Sequence, residues 1–139
     1  MSFWRTYYHL IWATQDRLPL ITPEKESELY GYIIGKSDYL QCIIHAINGT
    51  ENHIHIVASI PPKLSISEFV KKIKGSSAYH LNHCHLSSDL EFSWQQGYGV
   101  LTLGGKQLDD AKAYVNNQKE HHRQGTIIKG LEKDFDEKE

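Results

Sequence analysis

LQCIIHAINGTENHIHIVASI, residues 40–60, holds two apolar segments of similar length around the polar group NGTEN. Both segments are rich in isoleucine, which favours pleated, half-buried structure. The sequence predicts two strands, 40–47 and 53–60, joined as an antiparallel hairpin with Asn48-Gly49 as its turn signal. Pro61-Pro62 ends the second strand. In that strand side chains alternate between faces. His53, His55 and Val57 fall on one face, and Ile54, Ile56 and Ala58 on the other. One face is fit for a core. The other presents two imidazoles.

Working outward from this hairpin, each flank supplies one strand and one helix. FWRTYYHLIWATQ (3–15) reads as a strand, broken by the prolines of RLPLITPE. Thr22 before Pro23 has the character of an N-cap followed by proline at the first helical position, so a helix is expected over about 23–37. On the other side, Ser65 and Glu68 have capping-box spacing, opening a helix over 65–85 with Ile66, Phe69, Val70 and Ile73 on one stripe. Gly75 interrupts that stripe, as a kink or a close backbone approach. GYGVLTLG (97–104) is a fourth strand, and 107–124 an amphipathic helix stopped by Gly125. The order βαββαβ plus a helix gives an α+β fold, the ferredoxin-like split βαβ sandwich: a four-stranded antiparallel sheet with two helices on one face. The last helix, from this chain or a second subunit, is the natural cover for the other face.

Size and composition set the frame. The chain has 139 residues, enough for one domain with its own core. The expected organisation is a single domain over 1–130 and an acidic tail over 131–139. Net charge is −2, from 15 basic and 17 acidic residues. The last nine residues, LEKDFDEKE, hold five acids and two lysines, leaving 13 basic against 12 acidic residues elsewhere. A strongly basic protein is excluded, but a local basic patch is not. Two cysteines without CxxC spacing, no apolar run of membrane-spanning length and no hydrophobic leader point to the cytoplasm.

Several groups could carry chemistry. His53 and His55 can share a divalent ion if a third ligand exists; otherwise they are a polar pair on a solvated sheet face. On the final helix Leu108, Ala111 and Val115 form a core stripe, with Tyr114, Gln118 and His121 on the stripe beside it. Tyr114 can act as nucleophile and Gln118 as a neutral oxygen ligand, or both can be rim residues. Tyr79, with His83 four residues on, competes for the nucleophile's role. In KKIKGSSAYH (71–80), Lys71, Lys74, Ser76 and Ser77 could meet phosphates, or line a solvated helix face. Trp94 and Tyr98 in FSWQQGYG could stack on unpaired bases, or pack at a sheet edge. His80, His83, Cys84, His85, His121 and His122 match no zinc-finger or ribbon spacing.

The ordered set YYHLIWATQDRLPLI, NHIHIV, KKIKGSSAYH, FSWQQGYGV and YVNNQKEHHR resembles the HUH-type single-tyrosine transposases of insertion sequences and their REP-associated relatives. The EHHR segment, residues 120–123, is closer to the REP-associated branch. The resemblance implies the same ferredoxin-like fold and a homodimer in which the tyrosine helix can complete a partner's site. It implies His53, His55 and Gln118 as ligands of Mg2+ or Mn2+, and Tyr114 as the nucleophile. The implied activity is cleavage and rejoining of single-stranded DNA at element ends, with hairpins in the substrate, through a 5′-phosphotyrosine. Lys71, Lys74, Ser76, Ser77, Trp94 and Arg123 are expected along the DNA. The chain departs from the family pattern at one point: Asn52, not an acid, precedes the first histidine, with Glu51 one earlier.

Overall fold

A computed structural model describes residues 3–84 and 90–119. Its strands are β1 (Tyr7–Ala13), β2 (Ile43–Gly49), β3 (His53–Ser59) and β4 (Gly99–Leu103), and its α-helices are α1 (Pro23–Tyr39), α2 (Ile66–His83) and α3 (Leu108–Asn116). The sheet order is β2-β3-β1-β4, with every neighbouring pair antiparallel. This is the expected split βαβ arrangement.

The alternation read in HIHIVAS divides two cores. Ile54, Ile56 and Ala58 join Leu10 and Trp12 of β1 under Leu29 and Ile33 of α1 and Phe69, Val70 and Ile73 of α2. Complete burial of such side chains contributes roughly 1.5–3 kcal/mol each before entropy is counted. Both helix starts are fixed as the sequence predicts. Thr22 Oγ1 accepts from Lys25 N at 3.3 Å ahead of Pro23, and Ser65 Oγ accepts from Glu68 N at 3.1 Å. On the opposite face, Val57 packs with Ala46, Tyr114 and Val115, and α3 lies across β2 and β3 of its own chain. The expected stripe of Leu108, Ala111 and Val115 faces this second cluster.

Some details differ from expectation. Asn48 and Gly49 belong to β2, pairing with His55 and Ile54, and the turn falls on residues 50–52. Gly49 is required by packing. A Cβ there would sit 2.1 Å from the His53 carbonyl oxygen. The first strand starts at Tyr7, with Phe3 and Trp4 outside it and exposed. Helix α2 runs through Gly75 without a break, and nothing lies within 4 Å of a Cβ placed there. So neither a kink nor a close approach explains Gly75. No helix among the described residues is long and apolar enough to cross a membrane.

Candidate active site

The face of β3 that carries the histidines is not solvated. His53 and His55 are 2% and 0% exposed, with ring centroids 5.2 Å apart. Their outer nitrogens are engaged differently. His53 Nδ1 lies 2.9 Å from Asn52 Oδ1 and 3.0 Å from Thr50 Oγ1. Donation from Nδ1–H to the asparagine oxygen leaves the Nε2 lone pair for another role. Asn52, the point of departure from the family pattern, thus contacts His53 through a neutral oxygen. His55 Nδ1 lies 2.8 Å from Nε2 of His9, a buried residue of β1.

Tyr114 reaches this face from α3. Its ring centroid is 6.1 Å from that of His55 and 6.3 Å from that of His9, edge-on in both cases. Gln118 follows α3 and is fully buried. Residues on either side of it are anchored to β2. Asn48, the β2 partner of His55, donates from Nδ2 to the Asn116 carbonyl at 3.0 Å and accepts from Lys119 Nζ at 2.7 Å. Lys119 also pairs with Glu26 of α1 at 2.8 Å. Asn116 and Lys119, on either side of Gln118, are therefore tied to the residue beside His55.

The donor set fits a divalent cation. His53 Nε2, His55 Nε2 and Gln118 Oε1 are all buried. Among the described residues, no group of three or more His, Cys, Asp or Glu side chains could hold a metal ion. Among the described residues a third ligand of another type is available, and an amide oxygen such as that of Gln118 qualifies. Two imidazoles and an amide oxygen form a mixed set open to several divalent ions, Mn2+ and Mg2+ among them when water oxygens complete the shell.

The competing tyrosines are poorly placed. Tyr79 stacks on His83 at 3.9 Å on exposed α2, across the sheet from His53 and His55. Burial, together with Glu26, holds the Tyr30 hydroxyl protonated far above the usual tyrosine range.

Most of the expected DNA contacts have structural roles instead. Trp94 is 9% exposed, its indole N–H donates to Ser77 Oγ at 3.0 Å, and it meets Trp12 edge-on. It cannot offer a ring face to a base in this arrangement, and Ser77 is buried beneath it. Lys74 Nζ donates to the carbonyls of Gln95 and Gly97 at 2.6 and 2.8 Å, fastening that loop to α2. Ser76 Oγ donates back to the Lys72 carbonyl. These residues read as basic and hydroxylic from sequence, but the 92–98 segment engages Lys74 and Ser77, and Ser76 bonds within its own helix. Lys71 remains exposed. Arg123, with His85, His121 and His122, lies outside the described residues.

His9 is the member of this cluster that sequence reasoning missed. A signal existed: in YYHLIWA, alternation puts His9, Ile11 and Ala13 on one face. Only the β1–β3 register, which pairs His9 with Val57 and Ile11 with His55, shows that this face is the histidine face.

Known proteins resemble this chain in sequence and in fold. The family model "Transposase IS200 like" matches residues 2–118. The transposase for insertion sequence element IS200 of Salmonella typhimurium is 28% identical over 128 residues, covering 88% of this chain and 82% of that protein. The ISDra2 transposase TnpA of Deinococcus radiodurans is 28% identical over 123 residues, covering 80% and 82%. In solved structures, a REP-associated tyrosine transposase bound to a REP hairpin superposes with a TM-score of 0.63 at 16% identity, covering 91% of this chain and 76% of that one.

Proposed function

The chain belongs to the IS200-like transposase family, and from that premise we propose that it cleaves and rejoins single-stranded DNA at element ends through Tyr114. Membership makes it a DNA-cleaving transposase; the chemistry below is our reading. The observation that carries it is the placement of Tyr114 beside the buried His53/His55 pair within one chain.

Tyr114 Oη attacks the phosphorus of a DNA phosphodiester. A bond forms between Oη and phosphorus, and the bond from phosphorus to the 3′-oxygen breaks. The phenol gives up its proton, and the departing oxygen takes one to become a 3′-hydroxyl. The product is a 5′-phosphotyrosine, which conserves the phosphoester bond for resealing by another 3′-hydroxyl. A phenol near pKa 10 is a weak nucleophile at neutral pH, so the reaction needs electrostatic help. His53, His55 and Gln118 would hold a Mg2+ or Mn2+ ion, which would supply charge for the phosphate oxygens.

The hairpin bound to the REP-associated relative supports a single-stranded substrate that folds into a hairpin. Lys71 is the exposed cation retained as a backbone contact. The homodimer stays part of this reading, since β4 is a sheet edge with Val100 and Leu101 exposed, able to meet a second copy.

The test is incubation of the protein with hairpin-bearing single-stranded element ends and Mg2+ or Mn2+. A covalent adduct that survives denaturation is expected, and Tyr114→Phe abolishes it. Cleavage unaffected by Tyr114→Phe would point to a water-using phosphodiesterase. Hairpin binding without cleavage would point to a DNA-binding protein that has lost catalysis.

A further inference from the structure

His9 has no role in the reaction just described, yet it is among the most buried polar residues. It is 1% exposed at the middle of β1, between Val57 on β3 and Leu101 on β4. Its ring is enclosed, with no open solvent to swing into. Its Nε2 meets His55 Nδ1 at 2.8 Å, and its ring abuts both His55 and Tyr114.

A hydrogen bond between two neutral imidazoles has two forms. If His9 donates, His55 must carry its own proton on Nε2, and that nitrogen cannot ligate a cation. If His9 accepts, His55 carries its proton on Nδ1, and Nε2 presents a lone pair. Only the second form is compatible with ligation. Histidine ligands generally donate their remote N–H to a fixed acceptor, which sets tautomer and ring orientation. Asn52 Oδ1 fills that place for His53.

We propose that His9 is a positioning residue. Its Nε2 accepts the Nδ1 proton of His55 and so fixes the His55 tautomer whose Nε2 can bind a divalent cation. The proposal rests on the reading of His53 and His55 as ligands. It adds that both use neutral outer acceptors, one from the adjacent residue and one from a different strand. His9 also separates β1's contribution from the turn's: His53 is oriented locally, whereas His55 depends on the β1–β3 register being correct.

The experiment has two parts. Long-range 1H–15N spectra of the metal-free wild-type protein should show His55 protonated at Nδ1; protonation at Nε2 overturns the proposal. Mn2+ titration then compares the wild type with His9→Phe, His9→Gln and His55→Ala. Phenylalanine keeps the ring volume without an acceptor and should weaken Mn2+ binding by about 10–100-fold. Glutamine restores an acceptor and should recover much of that loss, which a purely structural role for the ring does not predict. Should His9→Phe fail to fold, the wild-type spectrum and the glutamine variant still decide. If His55→Ala abolishes binding while His9→Phe leaves it unchanged, His9 has no positioning role and the ligand assignment stands. If His55→Ala also leaves binding unchanged, the ligand assignment fails and the proposal falls with it.

Discussion

Gly49→Ala tests whether the β2–β3 hairpin is the element that sets the geometry of the site. The added Cβ would lie 2.1 Å from the His53 carbonyl oxygen, 2.8 Å from Ile54 Cα and 3.0 Å from His53 C. All three atoms are backbone, so no side chain can turn aside to relieve the contact. To reach an ordinary separation the strands must part by about 1 Å, in an interior that is already close-packed. The displaced atoms belong to His53 and to the residue between the two histidines. Overpacking of this kind costs about 1–3 kcal/mol, or a fall in Tm of roughly 3–12 °C for a domain of this size. An ångström of misplacement at a reacting centre can cost on the order of 100-fold in rate. Gly31→Ala is the control. Nothing lies within 4 Å of a Cβ there, in the middle of α1. That change should raise stability by up to about 1 kcal/mol through helix propensity alone. Thermal unfolding and adduct formation are measured for both. If Gly49→Ala matched the wild type in both assays, or Gly31→Ala proved equally harmful, the close-approach argument would be wrong.

Asn52→Asp replaces the neutral acceptor on His53 Nδ1 with a carboxylate; Mn2+ titration should show tighter binding, since a charged outer partner makes the imidazole more basic. Lys74→Met should lower stability by about 2 kcal/mol in denaturant melts by freeing the loop at Gln95 and Gly97. Lys71→Ala should leave stability within about 0.5 kcal/mol but weaken hairpin affinity, most visibly at low salt. Burial, then the positive charge of Lys112, lowers the His45 pKa from its ordinary 6.5. As pH falls through 6.5 the unfolded chain takes up this proton first, so the fold loses stability on the acid side. His45→Gln should flatten that acid slope in urea melts over a pH series.

Local pattern made much of this molecule legible. Period-two alternation in HIHIVAS separated core isoleucines from histidines, and Thr22 and Ser65 marked their helices because caps are local chemistry. The burial of both Tyr114 and Gln118 agrees with their spacing of four residues, which puts them near one stripe. What failed to read depends on distant partners. His9 joins the cluster only through a register 46 residues long in sequence. Lys74, Ser77 and Trp94 looked like nucleic-acid contacts by type, but the 92–98 segment folds back on α2 and uses their donors and acceptors. The turn was misplaced by two residues because Asn48-Gly49 is ordinarily a turn signal. Here the glycine serves close strand approach, and the asparagine holds the end of α3.

The central claim is that Tyr114, among eight tyrosines, forms the covalent link to DNA beside His53 and His55. Its most direct test is peptide mapping by mass spectrometry of the denatured, nuclease-trimmed adduct. The account predicts a single nucleotide-bearing peptide containing Tyr114, absent in His53→Ala and His55→Ala proteins. A nucleotide on Tyr79 or any other tyrosine, or cleavage with no modified peptide at all, would contradict it.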